Sequence, residues 1–479
     1  MVPTSALPRS PGHPFYAALN KLLAEAKFDA YVEGLCEPLY RDGGRPSIPP
    51  GVFFRMLFIG YFEGIDSQRG IAWRCSDSLS LRTFLGLKPT DSSPEHSSLT
   101  VIRKRMSKEL IEQVFAFVLK VAFEKKLLKG KAIGVDATTL EANAAMKSIV
   151  RRDGGATWKQ YLTKLAKEAG IEDPTDDQLR QFDRTRKGKK TSNDDWQSPS
   201  DPDARITKMK DGTTGLGYKA ENAVDLETEI VVAADVKPAD AADGETVKDS
   251  VVDAQGNLND ATKQECRIAE VVADKGYHKT ETLAWLGERD IRTYVAPRRD
   301  TRKRRWDDKP DGWREAVYEN QRRTGREKGK QLQRRRAEVV ERSFAHVCTT
   351  GGARRSWIRG LAEVGKRYLV TVMAHNLGVI LRKLIGVGKP REWVSMRSLL
   401  ANCAALGSTI LVVLVATWRR IDELADRFED QLLGGSRALQ RIAGSGFFNG
   451  LLKSANTSRA AVILPVFAMS QCVRNTDDR

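Results

Sequence analysis

The stretch Gly134 to Asn143, GVDATTLEAN, decides how the rest of the chain is read. An apolar run, Ala132, Ile133, Gly134 and Val135, enters it and ends on one carboxylate, Asp136. A short apolar run closed by polar residues has the pattern of a buried strand. An aspartate there either ends the strand in a turn or is a ligand held on a rigid element. A second run of the same build lies downstream. Arg267 to Ala273, RIAEVVA, is rich in β-formers and delivers Asp274, followed by Lys275, Gly276 and Tyr277.

The residues around these two runs predict a sheet. Gly217 to Asp225 and Glu229 to Val236 form an antiparallel hairpin beside the Asp136 strand. Helical spacing follows from Glu245 to Asn257, then comes the Asp274 strand. A helix from Thr280 to Glu288 and a strand from Ile291 to Ala296 complete the series. Hairpin strands followed by strands alternating with helices make a mixed α/β fold. Ligands gather where neighbouring strands end in such sheets, so Asp136 and Asp274 are expected side by side. Two carboxylates that close repel unless a cation lies between them, and magnesium suits their hard oxygens.

Upstream the chain reads as helical. Met1 to Pro14 is expected as a disordered tail, and His13 to Leu39 has helical spacing. A Gly/Pro loop, Gly43 to Pro50, leads into an apolar helix, Val52 to Phe62. Asp66 or Ser67, then Asp77 or Ser78, are candidate caps for two short helices. His96 to Met106 makes a fourth, with Ser97 as its cap and Arg103, Lys104 and Arg105 near its end. Short capped helices ending in a basic one suit a DNA-binding helix-turn-helix region, or a plain bundle whose cations favour helix C-termini. A helix from Lys108 to Leu128 precedes the Asp136 strand. Lys147 to Ala204 is polar and reads as an insertion with one helix, Trp158 to Glu168.

Charge points to a polyanionic partner. The formal net charge is +17 and the pI about 9.5. Arg298 to Arg336 concentrates it, with sixteen Lys and Arg against seven Asp and Glu. Trp306, Trp313 and Tyr318 are interleaved with these cations, so stacking and phosphate contact are both on offer. In RRRAEVVERSFAHV, Arg334 to Val347, the residues Val340, Phe344 and Val347 define a buried helical face. Glu341 stands at the edge of that face, where a third carboxylate would complete a two-metal site.

The six cysteines are scattered without metal or disulfide spacing, which fits a reducing compartment. The N-terminal residues lack the apolar core of a signal peptide. Ile410 to Trp418, ILVVLVATW, falls short of the ~20 apolar residues a membrane span needs. A cytoplasmic chain with no membrane and no small-molecule substrate is expected.

Asp136 in GVDATT, Asp274 in ADKGY and Glu341 in VERSF, in that order, resemble the acidic triad of bacterial insertion-sequence DDE transposases. GRPSIPPGVFFRMLFIGYFEGIDSQRGIAWRC and HSSLTVIRKRM resemble the front region of one large group of them. RGLAEVGKRYLVTVMAHNLG, Arg359 to Gly378, resembles the helix that closes their core. The resemblance runs from about Phe15 to Arg391. It implies a ribonuclease-H-like α/β core over residues 129–386, interrupted by a polar insertion, 147–204, and a basic one, 298–336. An all-α DNA-binding domain, 15–128, would precede it, and a helical tail of unassigned role, 387–479, would follow.

It further implies Mg²⁺ held by Asp136, Asp274 and Glu341, with Mn²⁺ able to substitute. Hydrolysis at each transposon end would precede attack of the 3′-hydroxyl on target DNA, through two metals about 3.5–4 Å apart. Double-stranded DNA and a second copy of the chain, pairing the two ends, are the implied partners. The DNA contacts are expected from Arg103, Lys104, Arg105, Arg302, Lys303, Arg304, Arg305, Arg334, Arg335, Arg336 and Arg342. The chain departs from the family pattern beside the glutamate. Ala337 and Cys348 stand where many members carry a basic residue and a lysine, and Arg336 and Arg342 are the nearest substitutes. A catalytically silent DNA-binding descendant is the alternative; the three carboxylates argue against it.

Overall fold

Among the described residues, seven α-helices precede the first long strand. The structure, a computed structural model, describes residues 12–40, 47–186, 192–298, 305–393 and 417. The helix expected from His13 to Leu39 is two helices, α1 (Pro14–Glu25) and α2 (Phe28–Cys36). Lys27 between them adopts a left-handed conformation, φ 55°, which breaks the α-helical path. Next, α3 (Pro50–Glu63) starts on the expected prolines and is buried along most of its length. Side chains of Ser67 and Ser78 cap α4 (Gln68–Asp77) and α5 (Leu79–Phe84). At α6 (His96–Arg105) the expected Ser97 cap is corrected. The cap position is Glu95, and Ser97 lies inside the helix, donating weakly back to it at 3.4 Å. Ser107 caps α7 (Lys108–Glu124).

The strand carrying Asp136 is longer than the apolar run suggests. β1 (Ala132–Glu141) continues five residues beyond the aspartate through Ala137, Thr138, Thr139, Leu140 and Glu141. Its threonines are β-branched and suit a pleated surface. The polar insertion that follows is a small folded module, which corrects its reading as largely loop. A two-strand ribbon, β2 (Val150–Arg151) with β3 (Trp196–Gln197), encloses α8 (Trp158–Glu168) and α9 (Asp176–Thr185). Leu162, Ala166 and Leu179 form its core, with Trp158, Ile171 and Phe182 packed around them.

The main sheet then assembles. β4 (Arg205–Lys208), β5 (Thr214–Asp225) and β6 (Val231–Pro238) are followed by α10 (Asp243–Thr262) and β7 (Glu270–Ala273). After α11 (Thr280–Gly287) and β8 (Arg292–Val295) come α12 (Trp313–Gly325), α13 (Glu327–Phe344) and α14 (Leu361–Ile385). β5 lies antiparallel between β1 and β6, and β4 also pairs with it. On the other side of β1, β7 and β8 run parallel to it. The predicted hairpin and alternating strands are therefore present. The basic stretch expected as an insertion is, from Trp313 onward, two ordered helices packed against the core.

Two buried asparagines close the sheet. Asn376 of α14 takes both backbone groups of Val231 on β6, at 2.9 and 2.8 Å. Asn320 of α12 does the same for Val295 on β8, at 2.8 Å each way. Covering an edge in this way removes a template for strand addition. α14 also packs on α3 and α7, joining the helical front to the sheet. The stretch Leu361–Trp393 is long and apolar enough to cross a membrane, yet it is mostly buried here. The apolar Ile410–Trp418 run and the tail readings lie outside the described residues, Thr417 apart.

Candidate active site

β1 and β7 pair from Ala132↔Glu270 to Val135↔Ala273 and then part. The next residue on each is the aspartate. Neighbouring strands lie about 4.8 Å apart, so Asp136, within β1, and Asp274, just past the end of β7, are near neighbours. Asp136 Oδ1 accepts from the Ala137 amide at 2.8 Å, and Oδ2 accepts from Arg336 Nη1 at 2.7 Å. Burial lifts the Asp136 carboxyl above the usual carboxylate range; Arg336 pulls it down and the charge of Asp274 adds to the rise.

Asp274 opens a single 3₁₀ turn, Lys275–Tyr277, and its Oδ1 accepts from Gly276 N at 2.8 Å. Glycine is needed inside that turn. A Cβ on Gly276 would sit 2.6 Å from Asp243 Oδ2 and 3.0 Å from Asp274 Oδ1. Tyr277 is buried, and its hydroxyl donates to Glu221 Oε2 at 2.9 Å. Burial and the nearby carboxylates push that phenol far above its ordinary value, so it stays a donor. Glu221 also receives the hydroxyls of Thr246, at 2.7 Å, and Ser250. Lys219 and Lys237 stand 3.7 and 4.0 Å away. The Asp274 turn is thus pinned through Tyr277 to the middle of the sheet.

α13 crosses the opposite face. Gly134 gives it room: a Cβ there would lie 3.0 Å from Val340 Cγ2 and 3.1 Å from Arg336 Cγ. Asn222, opposite Asp136 on β5, donates to Ser343 and accepts from Tyr368 at 2.9 Å. Glu341 is exposed, roughly 140° around α13 from Arg336. No group of three acids, histidines or cysteines is gathered as for a metal ion among the described residues. The structure brings two of the three predicted carboxylates together and leaves the third on the flank of the helix that contacts them. The two aspartates, both hard oxygen donors, fit a divalent ion.

The predicted basic residues that the structure describes divide into two sets. Arg103 is tied to Glu363 at 3.0 Å, joining α6 to α14. Arg335 and Arg342 hold Glu229, each at 3.1 Å, and Arg336 holds Asp136. Lys104, Arg105, Arg305 and Arg334 are exposed, Arg105 lying over the Tyr40 ring. Arg302, Lys303 and Arg304 lie outside the described residues. The sequence reading left Tyr277 without a role and did not single out Glu221 or Asn222. Alternation along β5 places Glu221 and Asn222 on opposite faces, but their partners come from distant helices.

Residues 5–105 match the family model of a transposase domain (DUF772), and residues 194–377 match that of the transposase DDE domain. The chain belongs to the DDE transposases. Neither a curated protein nor a solved structure matches it. Asp274 and Glu341 of this transposase fall inside the second match, whereas Asp136 precedes it. What links Asp136 to Asp274 is therefore its register on the neighbouring strand. The family acts on DNA and generally uses divalent metal ions.

Proposed function

We propose that this transposase cuts phosphodiester bonds at the ends of its insertion sequence and joins the freed 3′-hydroxyls to target DNA. The observation that carries the reading is the pair Asp136 and Asp274, set at the parting of two parallel strands inside a DDE-type chain. The strand order, antiparallel β6, β5 and β1 followed by parallel β7 and β8, supports a ribonuclease-H-like core. Asp136 and Asp274 hold the metal, with Glu341 as the third ligand. When bound, a metal pair activates the attacking oxygen and stabilises the leaving one. The protein itself orients the Asp274 carboxylate through the Tyr277–Glu221 tie and the Asp136 carboxylate through Ala137 and Arg336.

DNA is held by the exposed cations Lys104, Arg105, Arg305 and Arg334 together with the basic run 302–304, and two copies of the chain pair the transposon ends. The helical front, 15–128, is the DNA-binding domain and 129–386 the catalytic one. Asp136→Ala, Asp274→Ala and Glu341→Ala should each abolish strand cleavage while DNA affinity holds or rises, since each removes a negative charge facing phosphate. Cleavage should need Mg²⁺ or Mn²⁺, and Ca²⁺ should support binding with little cutting. Undiminished cleavage in EDTA, or by the Asp136 or Asp274 variant, overturns the reading. Cleavage by the Glu341 variant alone moves the third ligand elsewhere.

A further inference from the structure

We infer that Arg336 is the resident counter-cation of the Asp136–Asp274 pair and that a divalent ion enters the site by displacing it. The inference rests on the proposed metal site and goes beyond it by naming the group that competes for it. Arg336 Nη1 lies 2.7 Å from Asp136 Oδ2, with 12 % of its side chain exposed and 27 % of the aspartate's. The two neighbouring arginines on the helix face, Arg335 and Arg342, are occupied by Glu229 and Glu338. Among the described residues Arg336 is the cation paired with Asp136, whereas Asp274 has no ion pair and Arg298 beside it spends two donors on the Lys275 and Gly276 carbonyls.

The seat is also incomplete. Arg336 Nε is buried and lacks a hydrogen-bond partner among the described residues. Arg55 satisfies its donors with Asp29, Asn20 and the Phe84 carbonyl, while Arg82 also leaves its Nε unpaired but is fixed by three backbone carbonyls, which Arg336 is not. Arg336 is held on one oxygen by charge, on a long stem that passes over Gly134. A dication at the aspartate pair supplies the missing charge, and it repels a guanidinium bound to the same carboxylate. Exchange relieves both faults. The released fork is then free for a phosphate oxygen of the DNA strand, which it suits geometrically.

Mn²⁺ binding by the full-length protein without DNA, followed by titration calorimetry, separates the possibilities. Arg336→Gln and Arg336→Met should bind Mn²⁺ at least ten-fold tighter than wild type, and Arg336→Lys, which keeps the cation, within about three-fold of it. Methionine preserves the aliphatic stem over Gly134 should glutamine fail to fold, and thermal melts check both. Asp274→Asn should abolish binding. Neutral variants that bind no tighter than wild type, with Asp274→Asn still silent, make Arg336 a structural tie and overturn the inference while the metal site stands. Lysine tightening binding as much as glutamine overturns it too, because charge is then not the cause. Binding that survives Asp274→Asn removes the aspartate site itself, and the inference with it.

Discussion

Glu221 shows how much this core invests in one buried side chain. Its carboxylate has 0 % exposure and is met by three hydroxyls and two nearby lysines. A buried charge persists only when paired and hydrogen-bonded in this way. Tyr277 is the member that reaches the Asp274 turn, so its loss acts on stability and on the site together. Tyr277→Phe removes a hydrogen bond to a charged group, a cost of about 1.5–3 kcal/mol. Thermal melting should fall, and the Mg²⁺ concentration for half-maximal cleavage should rise as Asp274 loses its fixed geometry. A lowered melting point with unchanged Mg²⁺ dependence would reduce the tie to scaffolding. The two aspartates were legible in the sequence because each follows an apolar run that must be a strand. Tyr277 was not, since its partner lies 56 residues earlier on another strand.

At the scale of elements, α13 is where the sequence reading and the structure differ most. The stretch entering it, Arg298 to Arg336, reads in the sequence as a basic insertion suited to nucleic-acid contact. Lysine, arginine and glutamine are good helix formers, however, and Val339, Val340 and Phe344 supply a buried stripe to hold them. The module helix α9 escaped notice because its apolar positions are few. Thr157 with Gln160 and Thr175 with Gln178 are capping boxes that mark both module helices locally. α13 matters because it carries both Arg336 and Glu341 over β1 at Gly134. In Gly134→Ala the new Cβ would meet Leu226 Cδ2 at 2.6 Å as well as Val340 and Arg336. Overpacking of this kind costs about 1–3 kcal/mol and should lift α13 from the strand. Cleavage should drop well before DNA binding does, in parallel cleavage and filter-binding assays. Equal losses in both would mean that the substitution merely unfolds the chain.

Across the whole molecule, the helical front and the sheet meet at a seam of buried imidazoles. Tyr61 of α3 bonds His375 of α14 at 3.2 Å, and His375 stacks on His346, whose Nδ1 accepts from Lys389 at 2.7 Å. Burial first, then Lys389, Arg382 and Arg342, drives the His346 pKa down to about 4, with Glu392 opposing. His375 is pushed well below its ordinary range by complete burial and by His346, Arg382 and Lys389. Lys389 itself falls to about 8, so below neutrality it is charged whether the chain is folded or not. The seam is therefore built for neutral histidines. An unfolded histidine takes its proton near pH 6.5, whereas folded His346 resists until about 4. Between those values the unfolded chain binds more protons, and stability must rise with pH. The contribution is complete above pH 6.5 and is lost as pH falls toward 4. Thermal melts from pH 4.5 to 7 should show that slope, and His346→Gln, neutral throughout, should flatten it. Because Tyr61 reports from the front and His346 from the core, acid should also expose the seam to protease before the sheet unfolds. A variant with the wild-type slope would show that acid acts elsewhere, and that the seam is held by packing alone.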